Sequence, residues 1–243
     1  MENDAHLFGL VTTVFIDLDD TLWDFSSNSA VALRRTFDHF VTDHWHPAYE
    51  VFASTYERRN SELWHAYHHG QVERDYLLAE RFRHVLQRTG YTADCTALGA
   101  AMNEWYLACL AEQPLLVPGA QELLTRLKAS GKRVFVLSNG FAGVQQRKLL
   151  SAGVLHLLDG MVLSDDCGIT KPQRGIFDYA LRRVGAWAAQ VVMIGDDPDT
   201  DIHGAHDAGW LTIYYNAKRR PAVPGTVTAE VDHLQQAAVL LTE

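Results

Sequence analysis

The amino-acid sequence predicts an α/β protein in which a doubly wound parallel sheet carries an inserted all-helical domain. Two observations predict the sheet: short runs of β-branched and aliphatic residues recur along the chain, and from Pro114 onward they alternate with segments of helical periodicity. Strands that alternate with helices pair in parallel through right-handed crossovers. A third observation predicts the insert, because the stretch from about Asn28 to Leu110 has few glycines and helix-compatible apolar spacing.

The first strand is predicted in the run Val11–Ile16, whose β-branched and aromatic side chains suit a strand buried on both faces. The run ends at three acids, Asp17, Asp19 and Asp20. Carboxylates at the C-terminal end of a parallel strand lie where α/β proteins bind ligands. In an extended chain Asp17 and Asp19 would share one face, and their repulsion would favour a bound cation, Mg²⁺ first. The alternative interpretation is a solvated acidic turn.

The segment after the first strand is predicted to be a separate helical domain. Residues 25–113 form this domain in the prediction, and residues 1–24 and 114–243 form the α/β core. About four helices are expected, with breaks near Pro47 and Gly90. The apolar positions that indicate the first two helices are Val31, Leu33, Phe37, Phe40, Phe52, Tyr56, Leu63 and Tyr67.

Downstream of Pro114 the alternation predicts four more strands, which complete a Rossmann-like sheet. These strands are expected at Arg133–Leu137, Gly160–Leu163, Val191–Ile194 and Leu211–Tyr215. Helices are expected after Gly119, at Val144–Ser151, after Pro172, near Ile202–Ala208 and in the tail from Val231.

Composition limits the class of partner. The chain has 21 Lys and Arg against 30 Asp and Glu, a formal net charge of −9, which disfavours a nucleic-acid polymer but permits a small phosphorylated metabolite. Its first residues lack the order of a secretory signal, and no apolar run reaches the roughly 20 residues that span a bilayer. The scattered Cys95, Cys109 and Cys167 indicate reduced thiols. We therefore expect a cytoplasmic protein with no membrane partner, either a monomer or a weak homodimer.

Four strand ends carry polar groups that would meet at one edge of a doubly wound sheet. These groups are Asp17 with Asp19, Ser138, Lys171, and Asp196 with Asp201. On a phosphate monoester, one carboxylate can attack phosphorus, a second can transfer protons, and a hydroxyl and a lysine can hold the phosphoryl group. Each group alone has an ordinary explanation as a turn residue, a solvated lysine or a helix N-terminus. Their occurrence together, in this order, indicates a site.

With these motifs the chain resembles the haloacid dehalogenase superfamily over nearly its whole length. The first family motif, D-x-D-x-T, stands here as Asp17 to Thr21, and the second is Ser138 in L-S-N-G. The third is Lys171 in T-K-P, and the fourth, G-D-x-x-x-x-D, runs from Gly195 to Asp201. The helical insert is similar to the C1-type cap of that superfamily, which covers the site and selects substrate.

The resemblance implies a role for each of these residues. Asp17 is the implied nucleophile and Asp19 the general acid and base. The implied Mg²⁺ ligands are Asp17, Asp196 and the backbone carbonyl of Asp19, with Asp201 in support of Asp196 or Lys171. The implied phosphate-binding groups are Asp17, Ser138, Asn139 and Lys171. Asp197 departs from the family pattern, where a small hydroxyl residue or Asn is commoner, and this could alter metal affinity.

Within the superfamily, Asp19 favours a phosphatase, because the dehalogenases proper lack the second acid of the first motif. Residues 28–110 contain no lysine, which disfavours a phosphonatase. The predicted function is Mg²⁺-dependent hydrolysis of a small phosphorylated metabolite through an aspartyl phosphate, with nucleoside 5′-monophosphates among the candidate substrates. A phosphomutase, a sugar-phosphate phosphatase and a non-catalytic ligand-binding member are the alternatives. A receiver-type signalling module is disfavoured by the helical insert.

Four short stretches further resemble pyrimidine 5′-nucleotidases. They are Leu63–Gly70, Ser138–Phe141, Val144–Arg147 and Tyr214–Ala217. In this interpretation Trp64, Tyr67, Trp23 or Phe25 could face a base, although packed aromatic residues are the favoured alternative. The histidine groups lack accompanying acids or thiols at zinc-like spacing, so a histidine metal site is disfavoured.

Overall fold

The structure is a computed structural model that describes residues 7–243. In this part of the chain, six strands form one parallel sheet in the order β3-β2-β1-β4-β5-β6. The strands are β1 Thr13–Ile16, β2 Arg133–Ser138, β3 Gly160–Leu163, β4 Val191–Gly195, β5 Leu211–Tyr215 and β6 Ala229–Val231. The predicted α/β class with a doubly wound, Rossmann-like sheet is therefore confirmed.

The direction of strand succession reverses between β1 and β4. From β1 the chain adds β2 and β3 on one side, and β4, β5 and β6 follow on the other side. Phe15 pairs with Phe135 of β2 and with Met193 of β4, so β1 lies at the centre of the sheet. Ligands of open α/β sheets bind beyond the strand ends at such a reversal. The sheet therefore places the residues that follow β1 and β4 at the preferred binding position.

The helices of the α/β part cover the two faces of the sheet. They are α5 Ala120–Ala129, α6 Ala142–Ser151, α7 Ser164–Cys167, α8 Arg174–Val184, α9 Gly204–Asp207 and α10 Leu234–Thr242. Phe15, Phe177 and Trp210 belong to one buried cluster, in which the Trp210 ring lies 4.8 Å from Phe15 and 5.3 Å from Phe177. Such aromatic contacts add to the burial of apolar area and fix the strands that carry the site.

By its contacts the chain divides into two compact units, one formed by Met1–Phe25 with Pro114–Glu243 and one by Ser26–Gln113. Four helices account for the second unit within the described residues, although the first of them begins at Phe25. These helices are α1 Phe25–Phe40, α2 Tyr49–His68, α3 Arg74–Arg88 and α4 Cys95–Ala111. Phe52, Tyr56, Phe82 and Tyr106 form their aromatic interior. The role of this unit as a substrate-selecting cap stays a prediction.

The two segments that join the units run side by side within the α/β unit. Trp23 forms an isolated antiparallel bridge with Leu116. The amide of Asp24 donates to the Leu115 carbonyl at 3.1 Å, and the amide of Val117 donates to the Leu22 carbonyl at 3.0 Å. The insert therefore begins and ends at neighbouring points of the core.

Three local predictions differ from the structure. Strand β6 was not predicted, because it has three residues and only Val231 among them is buried. The tail helix expected from Val231 begins at Leu234, because Val231 belongs to β6. The helix expected near Ile202 begins earlier as a π-helical turn, Pro198–His203. No helix of the described residues is long and apolar enough to cross a membrane.

Candidate active site

Three carboxylates converge at the reversal of strand order. The amide of Asp17 donates to the Ile194 carbonyl at 2.9 Å, so the chain beyond β1 stays attached to β4. Asp196 follows β4 directly, and Asp201 lies in the π-helical turn after it. One oxygen of each of Asp17, Asp196 and Asp201 lies within 4.8 Å of the others. The sheet thus brings the first residue of the first motif together with both acids of the fourth motif.

Lys171 lies at the centre of this group and is 2% exposed. Its Nζ donates to Oδ1 of Asp17 at 2.6 Å, to Oδ1 of Asp201 at 2.6 Å and to the Leu137 carbonyl at 2.8 Å. These three contacts use all three ammonium protons. Lys171 therefore fixes the position of both carboxylates.

Asn139 positions the backbone of Lys171. Its Oδ1 accepts from the Lys171 amide at 2.8 Å, and its Nδ2 donates to the Lys171 carbonyl at 3.0 Å. This pair of bonds ties the end of β2 to the segment after β3. The predicted phosphate-binding role of Asn139 stays a prediction, and the contacts made by its amide are structural.

The Lys171 ammonium pairs with two of the three carboxylates, and the partly buried Asp196 pairs with Arg220. Burial, followed by repulsion from Asp201, outweighs Lys171 and raises the pKa of Asp17 to about 8. Burial and the charge of Asp17 raise the pKa of Asp196 to about 7. Burial likewise raises the pKa of Asp201 to about 6. Burial alone would lower the pKa of Lys171, but its two carboxylate partners raise it. The cluster carries unbalanced negative charge, which a divalent cation would relieve.

The donor set fits Mg²⁺, which prefers carboxylate and carbonyl oxygens. Asp17 and Asp196 are the carboxylates that could supply ligand oxygens. Both oxygens of Asp201 are engaged, one by Lys171 and the other by the Asp197 amide at 3.2 Å. Both oxygens of Asp196 are engaged as well, by Thr21 at 3.4 Å and by Arg220 at 2.8 Å, so the supporting place of Asp201 stays a prediction.

Strand β1 ends at Ile16, so the positions of Asp17 and Asp19 depend on the turn that follows and not on strand alternation. The chain turns after Leu18, whose carbonyl accepts from the amides of Leu22 and Trp23 at 3.0 and 2.8 Å. Asp20 takes a positive φ of 61° within this turn. The Asp19 carboxylate accepts hydrogen bonds from two residues of α6.

Those two residues are Gln145 and Lys148, which sequence reasoning did not assign to the site. Lys148 Nζ donates to Asp19 Oδ1 at 2.7 Å, and Gln145 Nε2 donates to Asp19 Oδ2 at 2.9 Å. Gln145 Nε2 also donates to Ser138 Oγ at 2.8 Å. A signal was present, because positions i and i+3 of the helix that follows Ser138 share one face.

Ser138 accepts two hydrogen bonds at its Oγ. One comes from Gln145 and the other from the Gly140 amide at 3.0 Å. A hydroxyl has two acceptor lone pairs and one proton. The Ser138 proton is therefore directed away from both donors, and it is suited to a phosphoryl oxygen.

A loop after β5 reaches Asp196, and the sequence pattern did not predict this contact. Arg220 Nη2 donates to Asp196 Oδ2 at 2.8 Å and to the Asp196 carbonyl at 2.5 Å. Asn216 holds this loop, since its Oδ1 accepts from the Arg220 amide at 2.7 Å and its Nδ2 donates to the Arg220 carbonyl at 2.8 Å. Lys218 pairs with Asp20 at 2.7 Å.

Asp197, the departure from the family pattern, caps the π-helical turn. Its Oδ1 accepts from the amides of Asp199 and Thr200 at 3.0 and 2.8 Å. Burial alone would raise its pKa, but these two amides lower it. Asp197 thereby holds the turn that carries Asp201, which gives it a structural role.

Gly195 is needed because Asp201 packs against its Cα. A Cβ at this position would overlap with the Asp201 carboxylate. We expect Gly195→Ala to lower the free energy of unfolding by about 1–3 kcal/mol, because the fully buried Asp201 has little room to move. Thermal unfolding measures this change. Gly143→Ala is the control, since no atom lies within 4 Å of a Cβ there and alanine suits a helix; equal stability of the two variants would contradict the expectation.

The aromatic residues proposed to face a base fall into two groups. Trp23 is fully buried in the α/β unit, which supports the packed alternative for that residue. Trp64 and Tyr67 lie in α2 of the helical unit, with their rings 5.7 Å apart. Trp64 and Tyr67 therefore belong to a different unit from the carboxylates.

Comparisons with known proteins agree with this arrangement. A family model described as haloacid dehalogenase-like hydrolase matches residues 11–209. Pyrimidine 5′-nucleotidase YjjG of Escherichia coli is 32% identical over 214 residues, with 87% of this chain and 89% of YjjG covered. A glyceraldehyde 3-phosphate phosphatase of Methanothermobacter thermautotrophicus is 29% identical over 232 residues, covering 93% and 92%. The crystal structure of YfnB from Bacillus subtilis, bound to magnesium, is similar with a TM-score of 0.81 and 28% identity, covering 96% of this chain and 99% of YfnB.

Proposed function

The chain belongs to the haloacid dehalogenase-like hydrolases, and from this we propose that it is an Mg²⁺-dependent phosphomonoesterase that works through an aspartyl phosphate on Asp17. One observation carries the proposal. The Asp17 carboxylate lies at the reversal of strand order, held by Lys171 and close to two further carboxylates. A fixed carboxylate beside a cation and a hard-metal donor set is suited to phosphoryl transfer.

In the first step an oxygen of Asp17 attacks phosphorus, and the bond from phosphorus to the leaving oxygen breaks. Lys171 holds Oδ1 at 2.6 Å, which orients the carboxylate for attack through Oδ2. Asp19 in its protonated form gives a proton to the leaving oxygen, which departs as an alcohol. Ser138 holds a phosphoryl oxygen during this transfer, and the positive charge of Lys171 offsets the charge of the transferring group.

In the second step a water attacks the phosphorus of the aspartyl phosphate. Asp19, now ionised, takes the water proton, the bond from phosphorus to Asp17 breaks, and inorganic phosphate leaves. Asp17, Asp196 and the Asp19 carbonyl would hold Mg²⁺, which when bound neutralises charge on the carboxylates and the phosphoryl group.

For the substrate we propose a nucleoside 5′-monophosphate. The similarity to a protein named as a pyrimidine 5′-nucleotidase supports this choice, together with the four stretches that resemble such enzymes. The similarity to a glyceraldehyde 3-phosphate phosphatase supports a sugar phosphate as the alternative. We assign substrate selection to the helical unit, residues 25–113, which is rich in aromatic side chains. The acid Asp19 favours a phosphatase over a dehalogenase.

The test measures phosphate release from nucleoside 5′-monophosphates, sugar phosphates and p-nitrophenyl phosphate, and halide release from a 2-haloacid. We expect release from nucleoside 5′-monophosphates to lead, and to fall by about 10² or more when EDTA removes the metal, because the metal stabilises the transition state by several kcal/mol. Restored Mg²⁺ should recover the rate. Preference for sugar phosphates would correct the substrate, whereas metal-independent halide release, or no release at all, would overturn the proposal.

A further inference from the structure

Helix α6 carries two buried side chains that hold Asp19 from both of its oxygens. We call Gln145 and Lys148 the α6 clamp. Lys148 contacts Oδ1 of Asp19 and Gln145 contacts Oδ2, at 2.7 and 2.9 Å. Lys148 is 3% exposed and Gln145 is 1% exposed, whereas the neighbouring Gln146 of the same helix is exposed. Two polar side chains buried this deeply require a reason beyond solubility.

The orientation of the Gln145 amide follows from its neighbours. The amide nitrogen of Gln145, and not its oxygen, faces Asp19 and donates to Oδ2 at 2.9 Å. The second proton of Nε2 goes to Ser138 Oγ. Gln145 thus uses both protons to connect Asp19 with Ser138. Its Oε1 is buried and has no hydrogen-bond partner among residues 7–243, so stability alone does not explain this side chain.

Lys148 has an unusual environment for an ammonium. Its Nζ lies 4.5 Å from the Trp23 ring centroid and 5.6 Å from that of Phe25. Aromatic faces attract a cation and prevent its hydration. Asp19 is the carboxylate with which it forms a salt bridge. The cation is therefore held in one place, and it directs its charge to Asp19.

The chain makes room for the clamp at Gly140. A Cβ at this position would overlap with the amide end of Gln145. The same residue donates its backbone amide to Ser138 Oγ at 3.0 Å. Gly140→Ala is thus expected to push Gln145 away from Asp19 and Ser138 while leaving the chemistry of Gln145 unchanged.

We propose that Gln145 and Lys148 are positioning residues that hold the Asp19 carboxylate as the proton acceptor in hydrolysis of the aspartyl phosphate. This inference rests on the proposed function. Both oxygens of Asp19 accept hydrogen bonds in the clamp, which fixes the position of the carboxylate. In this step the water oxygen bonds to phosphorus, the water proton moves to Asp19, and the Asp17 carboxylate is released.

The test follows p-nitrophenyl phosphate with Mg²⁺ on a rapid-mixing instrument, for the wild type, Lys148→Met and Gln145→Met. The nitrophenolate leaves without help from an acid, so formation of the phosphoenzyme should slow by less than about 3-fold. Its hydrolysis should slow by about 30-fold or more, because a misplaced proton acceptor costs up to about 10² in rate. The variants should therefore release a burst of nitrophenolate close to one per active site, and their intact mass should gain a phosphoryl group.

Four further observations make the result specific. Gly140→Ala should reproduce the burst of Gln145→Met. Lys148→Arg should recover part of the rate of phosphoenzyme hydrolysis that Lys148→Met loses. Gln146→Leu should behave as wild type. The midpoint of thermal unfolding should change little for Gln145→Met, which removes a buried unpaired acceptor. Equal slowing of both steps without a burst would overturn the clamp while leaving the phosphatase assignment intact. A wild type without Mg²⁺-dependent turnover would overturn the proposed function, and the clamp with it.

Discussion

Asp17→Asn is expected to lose phosphate release by about 10⁴-fold or more and, without metal, to unfold at a higher temperature than the wild type at pH 8. The loss follows because the side-chain amide of asparagine is a poor nucleophile. The gain in stability follows because asparagine keeps the shape of Asp17 and removes one of three crowded carboxylates, while Lys171 keeps Asp201 as its partner. Activity and stability should therefore move in opposite directions.

The pH dependence of stability has a definite sign. The folded-state pKa of Asp17 is raised to about 8, chiefly by burial, whereas in the unfolded chain it is about 4. A group with a raised folded pKa contributes stability that is complete below the unfolded pKa and is lost as the pH rises through the folded value. Asp196 and Asp201, raised to about 7 and about 6, act in the same direction. Metal-free wild type should lose stability from pH 5 to pH 8, and Asp17→Asn should lose less.

Thermal unfolding in EDTA across this pH range measures the difference between the two proteins. Asp159→Asn is the matched control at a carboxylate outside the site. Burial alone would raise the pKa of Asp159, but Lys128 and the Val134 amide lower it. This control should lose a little stability near pH 7 and keep full turnover. An Asp17→Asn protein that is less stable than the wild type at pH 8 would contradict the account of the cluster.

Lys171→Met should cause a large loss of stability together with the loss of activity. The substitution leaves Asp17 and Asp201 buried without their cation, which costs about 3–5 kcal/mol for a buried pair. The midpoint of thermal unfolding should fall by roughly 10 °C for a chain of this size. Turnover should fall by about 10³-fold or more, since Lys171 orients the nucleophile and neutralises the transferring group.

Protonation distinguishes this explanation from a simple loss of packing. Both carboxylates can take up protons at pH 5, so the stability deficit of Lys171→Met should be smaller there than at pH 8. Adding Asp201→Asn should recover part of the deficit. Lys128→Met, at an exposed ion pair with Asp159, should cost less than about 1 kcal/mol. A deficit that does not vary with pH would mean that lost packing, and not unpaired charge, dominates.

The sequence predicted those parts of the site that depend on strand ends. Alternating strands and helices require parallel pairing, and parallel strands end at one edge, so Asp17, Lys171, Asp196 and Asp201 could be placed near one another without coordinates. Their distances confirm that proximity. The chemical roles of these residues stay predictions.

The rest depended on contacts that a linear pattern does not contain. The chain turns at Asp19 because the Leu18 carbonyl accepts from the amides of Leu22 and Trp23, and a D-x-D motif does not specify this turn. The sequence pattern assigns Gln145 and Lys148 to a helix and does not indicate their partners, Asp19 and Ser138, which only the packing of α6 provides. Arg220 reaches Asp196 from a loop held by Asn216, and a loop conformation has no periodicity from which to predict it.

The pairing of the two connecting segments affects how far the length and sequence of the chain between them can change. Because Trp23 and Leu116 are already neighbours, the core fixes the ends of whatever lies between them. The entropic cost of closing a loop grows only with the logarithm of its length, about 0.6 kcal/mol for each doubling. An intervening segment can therefore lengthen, shorten or be exchanged at little cost to the sheet. The α/β unit and the helical unit can in this sense change in sequence independently of each other.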